Sequence, residues 1–304
     1  MTIVVPCRDR PQELDATLAG VTQHVRPGDT LLVVDSASRA AQAMADVARK
    51  HGVTLVRLDV PGASRARNAG WQLADTDVVV FVDDTVVVAD GWLDALVQPL
   101  AQDPQLGFVA GRIEPIGGGN RWAPVAVHSH PVPRTVQAGD PAPGDSASLA
   151  VRTAALRAVG GFDERLGPGT WFAAADDLNL LDRILLAGLP GRYEPAARAG
   201  SPQPEDSQEH LAKIWAYGKA SGGRLALLAR HDRRVTRLVA PQVLPGLRRK
   251  SGMAGDPADG SRASRSPLLA AVRAAGTLTG FVAGLALLRA PIPPPTRAPA
   301  TTPR

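Results

Sequence analysis

The sequence has one cysteine, Cys7, in 304 residues. No intramolecular disulfide framework is therefore available, which fits a reducing, cytoplasmic setting. Aromatic residues make up only 4%, and no zinc-finger or RNP-type signature accompanies them. That combination argues against nucleic-acid binding. No glycine-rich loop follows the first apolar run, where the turn reads Pro6-Cys7-Arg8-Asp9-Arg10-Pro11. A dinucleotide-binding dehydrogenase needs G-x-G-x-x-G there, and a nucleotidyltransferase needs glycines with basic residues, so both are disfavoured. Residues 1–6 lack the basic start and long apolar stretch of a signal peptide, and read as a strand. The apolar run 268–288 is broken by Arg273, leaving 274–288 uninterrupted. That is shorter than the ~20 residues of a bilayer span. A packed or interfacial helix with peripheral membrane contact is expected instead.

What is present points to an α/β enzyme. A hydrophobic content of 44% over this length supports one large α/β domain, with or without a small appendage. The net charge of +5 is mostly arginine. It suits an anionic ligand such as a nucleotide diphosphate or an anionic membrane surface, and it equally suits an arginine-rich sequence with no such partner. Buried-strand runs at 3–6, 30–35, 53–59 and 77–83 alternate with helical spacing at 12–21, 40–51, 63–74 and 91–102. This order predicts βαβ units in a mixed, mainly parallel Rossmann-like sheet with helices on both faces. Ligands then bind beyond the carboxyl ends of the strands. The Gly/Pro-rich stretch 117–146 reads as mostly loop. It is followed by a strand at 147–152 and helices at 153–159, 176–187 and 208–230. The expected domain covers 1–235, with a first ligand-binding half (1–115) and a second half (116–235). Residues 236–304 form an extension with a linker (251–266), the apolar helix (268–288) and a disordered proline-rich tail.

Several pieces carry chemistry. Asp83-Asp84-Thr85 ends the fourth strand. Two adjacent carboxylates can hold a hard cation, Mg²⁺ or Mn²⁺, and contact a ribose. Asp35 ends the second strand, where it can read a base or cap the next helix. Ser64-Arg65-Ala66-Arg67-Asn68 opens a helix, where arginine suits a diphosphate or a solvated face. Asp176-Asp177 starts another helix, suited to a general base or to the helix dipole. Trp171 precedes that pair in a Gly/Pro-flanked loop, where it reads as structural or as a ring that stacks on a ligand. His128 and His130 read as structural.

In order, these pieces resemble the inverting family 2 glycosyltransferases of GT-A fold. TIVVPCRDRPQELDATL is similar to that family's first strand and helix, LLVVDSAS to its "VVDDGS" strand end, and GASRARNAG to its "ARNxG" segment. FVDDTVVVADGWLDAL resembles the DxD-type strand end. SASLAVRTAALRAVGGFDERL resembles the acceptor-side "GGFDE" segment, and ADDLNLLDRILLAGLPGRYEP the "EDxDLxxRxxxAG" helix. The match spans about 2–230, and the YEPAAR and YGKASGGRLALLARH segments resemble actinobacterial members.

The resemblance implies transfer of a sugar from a nucleotide-sugar donor to a saccharide, lipid or peptide-derived acceptor, in cell-wall or polysaccharide synthesis. It implies Pro6, Asp9 and Asp35 around the base and Arg65 at the nucleotide or diphosphate. Asp84 and its neighbour Asp83 take the metal and ribose roles, Asp176 lies at the substrate, and Asp177 is the catalytic base. Gly160 to Asp163 build the acceptor turn. The departures are Thr85 for a usual third acid, Asp176 for Glu, Asn179 for Asp, Ser148 for Asn, and no histidine near Ser201. Glu205, Asp206 or His210 is a candidate replacement for that metal-binding histidine. Two readings stay open: an active transferase, and a degenerate member that binds nucleotide or a partner without turnover.

Overall fold

The computed structural model describes residues 1–117, 128–140, 144–203, 206–231 and 267–287. The strands are β1 (Thr2–Cys7), β2 (Thr30–Ser36), β3 (Thr54–Leu58), β4 (Val78–Phe81), β5 (Val87–Val88), β6 (Phe108–Ile116), β7 (Arg134–Val136), β8 (Leu149–Arg152) and β9 (Gly191–Pro202). The helices are α1 (Pro11–Val21), α2 (Ala41–Lys50), α3 (Ala63–Gln72), α4 (Trp92–Gln102), α5 (Thr153–Val159), α6 (Asp176–Leu186), α7 (Ser207–His231) and α8 (Pro267–Leu287).

The strands form one sheet in the order β3-β2-β1-β4-β8-β6-β9-β5, with β7 also on β9. Strands β3, β2, β1 and β4 run parallel, and β8 is antiparallel to both β4 and β6. Every residue of β1 is buried, as a central parallel strand covered on both faces requires. Alternation along it divides the core. Ile3 and Val5 pack with Leu14, Met44, Trp92 and Leu96 on one face, while Val4 packs with Ala66, Phe81, Phe108 and Leu180 on the other. Helix α3 lies close to β1 because position 70 is glycine. A Cβ there would sit 2.4 Å from Val4 Cγ1.

Three parts of the structure differ from the sequence expectation. Within the stretch expected to be loop, β7 pairs antiparallel with β9, and His128 bridges Ile113. Residues 118–127 and 141–143 lie outside the described residues. Strand β6 carries Gly111, Arg112, Glu114 and Pro115, which break any apolar period. It pairs with β9 across a bulge, the partner shifting from Glu194 to Arg198 between Gly111 and Arg112. Helix α8 runs unbroken through Arg273. By length and composition, 268–286 is enough to cross a membrane. The linker 251–266, the proline-rich tail and Glu205 lie outside the described residues.

Candidate active site

The carboxyl ends of β1, β2 and β4 open together, as parallel strands must. At the first, Pro6 is buried beside Val34, and Asp9 takes a left-handed φ of 54°. The Asp9 carboxylate accepts from the N–H groups of Arg39 (2.6 Å) and Ala40 (3.2 Å), just ahead of α2. Those bonds hold its carboxyl below the usual carboxylate range. At the second, Asp35 is fully buried and accepts from Ser38 N–H at 2.9 Å and from Arg57. Helix α2 begins at Ala41 and the nearby N–H groups are met by Asp9, so Asp35 is not its cap. It ties the 36–38 turn to β3.

At the third, the two acids of Asp83-Asp84 part company. Asp84 is buried, accepting from Arg10 Nη1 at 2.9 Å and from Arg8 N–H at 3.4 Å. Burial pushes its carboxyl up to about 6, against the pull of Arg10. The side chain of Asp83 keeps 34% exposure and bonds Arg67 Nη2 at 2.6 Å.

Arg67 is the hub. It is 3% exposed, donates its other arm to Asp176 Oδ2 at 2.8 Å, and lies 5.6 Å over the Phe162 ring. Burial opposes its charge, but Asp83 and Asp176 outweigh burial and raise its pKa. Ser64, three residues earlier on the same face of α3, also donates to Asp176, at 2.9 Å. Next in line, Asn68 latches the turn at 160–163. Its amide donates to Phe162 O (3.0 Å) and Glu164 Oε1 (2.9 Å) and accepts from Phe162 N–H (2.8 Å) and Trp71 Nε1 (3.0 Å). The turn requires glycine at 161, where φ is 71° and a Cβ would sit 2.6 Å from Asn68 Oδ1. Gly161→Ala is therefore expected to lower stability by about 1–3 kcal/mol. Thermal unfolding checks this, and an unchanged melting temperature would contradict the latch.

Asp177 stands next to Asp176 at the start of α6 and accepts from Leu178 N–H (2.6 Å) and Ser146 N–H (3.4 Å). Burial, then the charges of Asp176 and Asp145, push it up to about 7. Asp145 is pushed up to about 7 likewise, by burial and then Asp83. Tyr217, on α7, is held above the usual phenol range by burial and by Asp145, Asp177 and Asp83. Helix α7 thus faces this acidic floor. Partly buried carboxyls with pKa values near neutrality are a mark of acid–base sites.

The sequence model of glycosyl transferase family 2 matches residues 2–159, half of the chain. The chain belongs to that family. The pre-mycofactocin glycosyltransferase of Mycobacterium tuberculosis, in two strains, is 30% identical over 259 residues, covering 79% of this chain and 50% of the relative. The chain thus spans half the length of those curated relatives. Among solved structures, the mannosyltransferase PcManGT from Pyrobaculum calidifontis, in complex with GDP-Man and Mn²⁺, superposes with a TM-score of 0.59 at 18% identity. That match covers 94% of this chain and 85% of PcManGT. S. aureus TarS 1–349 superposes with a TM-score of 0.57 at 13% identity, covering 95% and 90%. At those identities the likeness shows the fold, which is GT-A.

With the family in hand, the expected site residues sort themselves. Arg67 joins Asp83 to Asp176 and its charge reaches Asp177, while Asp84 turns to Arg10. Arg65 turns instead to Glu164, 3.5 Å away. Trp171 is 53% exposed, with Lys219 Nζ stacked 4.4 Å over its ring. His210 is buried in the first turn of α7. Among the described residues, no three of His, Cys, Asp or Glu converge to hold a metal ion. Asp83 and Asp84 nevertheless fit a divalent cation that takes its other ligands from diphosphate and water. They are hard oxygen donors at a strand end, and one is accessible. Arg67, Arg10 and Asp145 are the residues that sequence reasoning missed. Arg67 had a signal, its three-residue spacing from Ser64, whereas Asp145 had none.

Proposed function

We propose that the chain is an inverting transferase. It moves a sugar from a nucleotide-diphospho-sugar to an acceptor hydroxyl, with Asp177 as general base. The observation that carries this reading is Asp177 itself. It is a half-buried carboxyl within reach of the Arg67 charge, with its proton held to about 7, close to the working pH of an efficient base. Its carboxylate takes the proton from the acceptor O–H. The acceptor oxygen bonds to the anomeric carbon from the face opposite the diphosphate. The bond from that carbon to the diphosphate oxygen breaks, and its electron pair leaves with the diphosphate.

Asp83, with Asp84 beside it, would hold the divalent ion, which supplies charge neutralisation for the departing diphosphate. Arg67 fixes the direction of Asp83 and Asp176 at once. Pro6, Asp9 and Asp35 take the base side, 1–115 serves as the donor half, and 116–235 serves as the acceptor half. Trp171 takes the acceptor by stacking, and Arg65 stays a candidate at the diphosphate edge. The acceptor is a saccharide, lipid or peptide-derived molecule, with the mycobacterial relative's name adding pre-mycofactocin to the candidates. The setting we propose for it is the cytoplasm, in polysaccharide or cell-wall assembly.

The second reading, nucleotide binding without turnover, draws on Thr85 and on the arginines already seated on Asp83 and Asp84. Calorimetry with GDP, UDP and dTDP, with and without Mn²⁺, separates the two when paired with donor hydrolysis. Binding that tightens with Mn²⁺ and is lost in Asp83→Asn, together with donor turnover, is expected. Binding without turnover would favour the second reading, and no binding to any of the three would end the nucleotide-sugar proposal.

A further inference from the structure

The helix that the chemistry does not use has two unlike faces. One face of α8 lies against α7 with the backbones nearly touching. A Cβ on Gly280 would be 1.9 Å from Lys219 O, and one on Gly222 would be 2.0 Å from Thr277 O. The opposite face is bare. Leu268, Ala271, Ala275, Leu278, Val282 and Leu285 follow at spacings of three and four and are all exposed, Leu278 at 68% and Val282 at 59%. An apolar stripe of that length on a lone helix calls for a cover.

The charge of the chain says what the cover is. Residues 1–231 hold 22 Arg and Lys against 26 Asp and Glu, a net of −4. Residues 232–304, which bracket α8, hold 12 against 3, a net of +9. All the positive excess of the protein therefore lies in the stretch of sequence around α8, the one long apolar helix among the described residues. An apolar face with basic neighbours matches the two attractions of an anionic bilayer, hydrocarbon burial and charge. Trp215, half exposed on α7 where it meets Gly276, adds an amphipathic ring of the kind found at that depth.

The geometry points to lying on the membrane rather than crossing it. Helix α7, bound along α8, is itself fastened to the soluble body. Arg224 grips Asp182 through two bonds of 2.6 and 2.7 Å, and Lys219 Nζ donates to Trp171 O at 2.8 Å. Phe172 fills the space beside Gly223, where a Cβ would come within 2.3 Å of the ring. Carrying α8 through a bilayer would drag Lys213, Lys219 and Arg224 with it, or strip the glycine contacts. We propose that the exposed stripe of α8, with its basic flanks, docks the enzyme onto an anionic lipid surface. This stands apart from the transferase reading, since it rests on other residues and is read by binding alone.

The test uses the full chain and sedimentation with vesicles of phosphatidylcholine alone or of phosphatidylcholine and phosphatidylglycerol at two to one. Binding to the anionic vesicles only is expected, with release as salt shortens the screening length from about 10 Å at 0.1 M to about 3 Å at 1 M. Leu278→Asp combined with Val282→Asp places charge on exposed positions. It should weaken binding by at least about tenfold without altering the circular dichroism spectrum or melting temperature. The proposal is overturned by equal binding to neutral vesicles that only detergent reverses, which would mean a span. It is also overturned by unweakened binding of the double variant, by no binding at all, or by a dimer that the same substitutions dissociate.

Discussion

Asp177→Asn is expected to lower kcat by about 10²- to 10⁴-fold while nucleotide affinity stays within about a factor of two. In the proposed mechanism this carboxylate takes the acceptor proton, and an amide of the same shape cannot take it. The proposed donor side is the ends of β1, β2 and β4, whose acids the substitution leaves alone. A loss of that size in single-turnover transfer, with unchanged calorimetric binding, supports the assignment. A fall in both would mean that the residue holds the donor, and a small change in either would remove Asp177 from the reaction.

The pH profile sharpens the same prediction. A base works only once deprotonated, and burial with Asp176 and Asp145 holds the Asp177 proton to about 7. The kcat/KM of the wild type should therefore rise as pH climbs through about 7, with the apparent value belonging to Asp177 and Asp145 jointly. Stability moves the other way. In an unfolded chain these carboxyls release their protons near ~4. Between that value and about 7 the folded state binds more protons than the unfolded one. Their contribution is complete below the lower value and is lost as pH rises through the upper one. Asp177→Asn should flatten this slope and leave the fold at least as stable at pH 8, the pattern of a functional residue held at a cost to stability.

The sequence already displays the parallel part of the sheet because buried parallel strands are written as unbroken apolar runs closed by polar residues: TIVVPC, then LLVVDS, then VVVFVDD. Strand β6 is not visible in this way. Its outer half faces solvent, and Gly111 is required where a Cβ would sit 2.2 Å from Ser148 Oγ. Strand β5 is two residues long and exists only because β9 lies beside it. In the site, the paired acids stand out because they close a strand and open a helix. The choice between Arg65 and Arg67 turns on which face of α3 meets Asp176, a contact across 109 positions of chain. Asp145 lies in a Gly/Pro-rich stretch without periodicity, and only the path of the chain brings its charge to Asp177.

Arg67→Met is expected to destabilise the fold by about 3–5 kcal/mol, because it leaves two acids without their shared cation. Asp176 is 2% exposed and would keep only Ser64 Oγ, while Asp83 would lose its 2.6 Å partner. At about 2–4 °C per kcal/mol for a domain of this size, the melting temperature should fall by roughly 6–20 °C. Methionine preserves most of the packing over Phe162, so the missing charge, not a cavity, dominates. Arg67→Lys retains the charge but not the fork that reaches Asp83 and Asp176 together, and should lie between the two. The decisive comparison is Arg67→Met with Asp176→Asn. Removing the buried charge along with its partner should restore much of the loss, a coupling measurable in a double-mutant cycle. If the two substitutions simply add, Arg67 stabilises by packing alone, and its place as the electrostatic hub joining the donor acids to the catalytic helix is wrong.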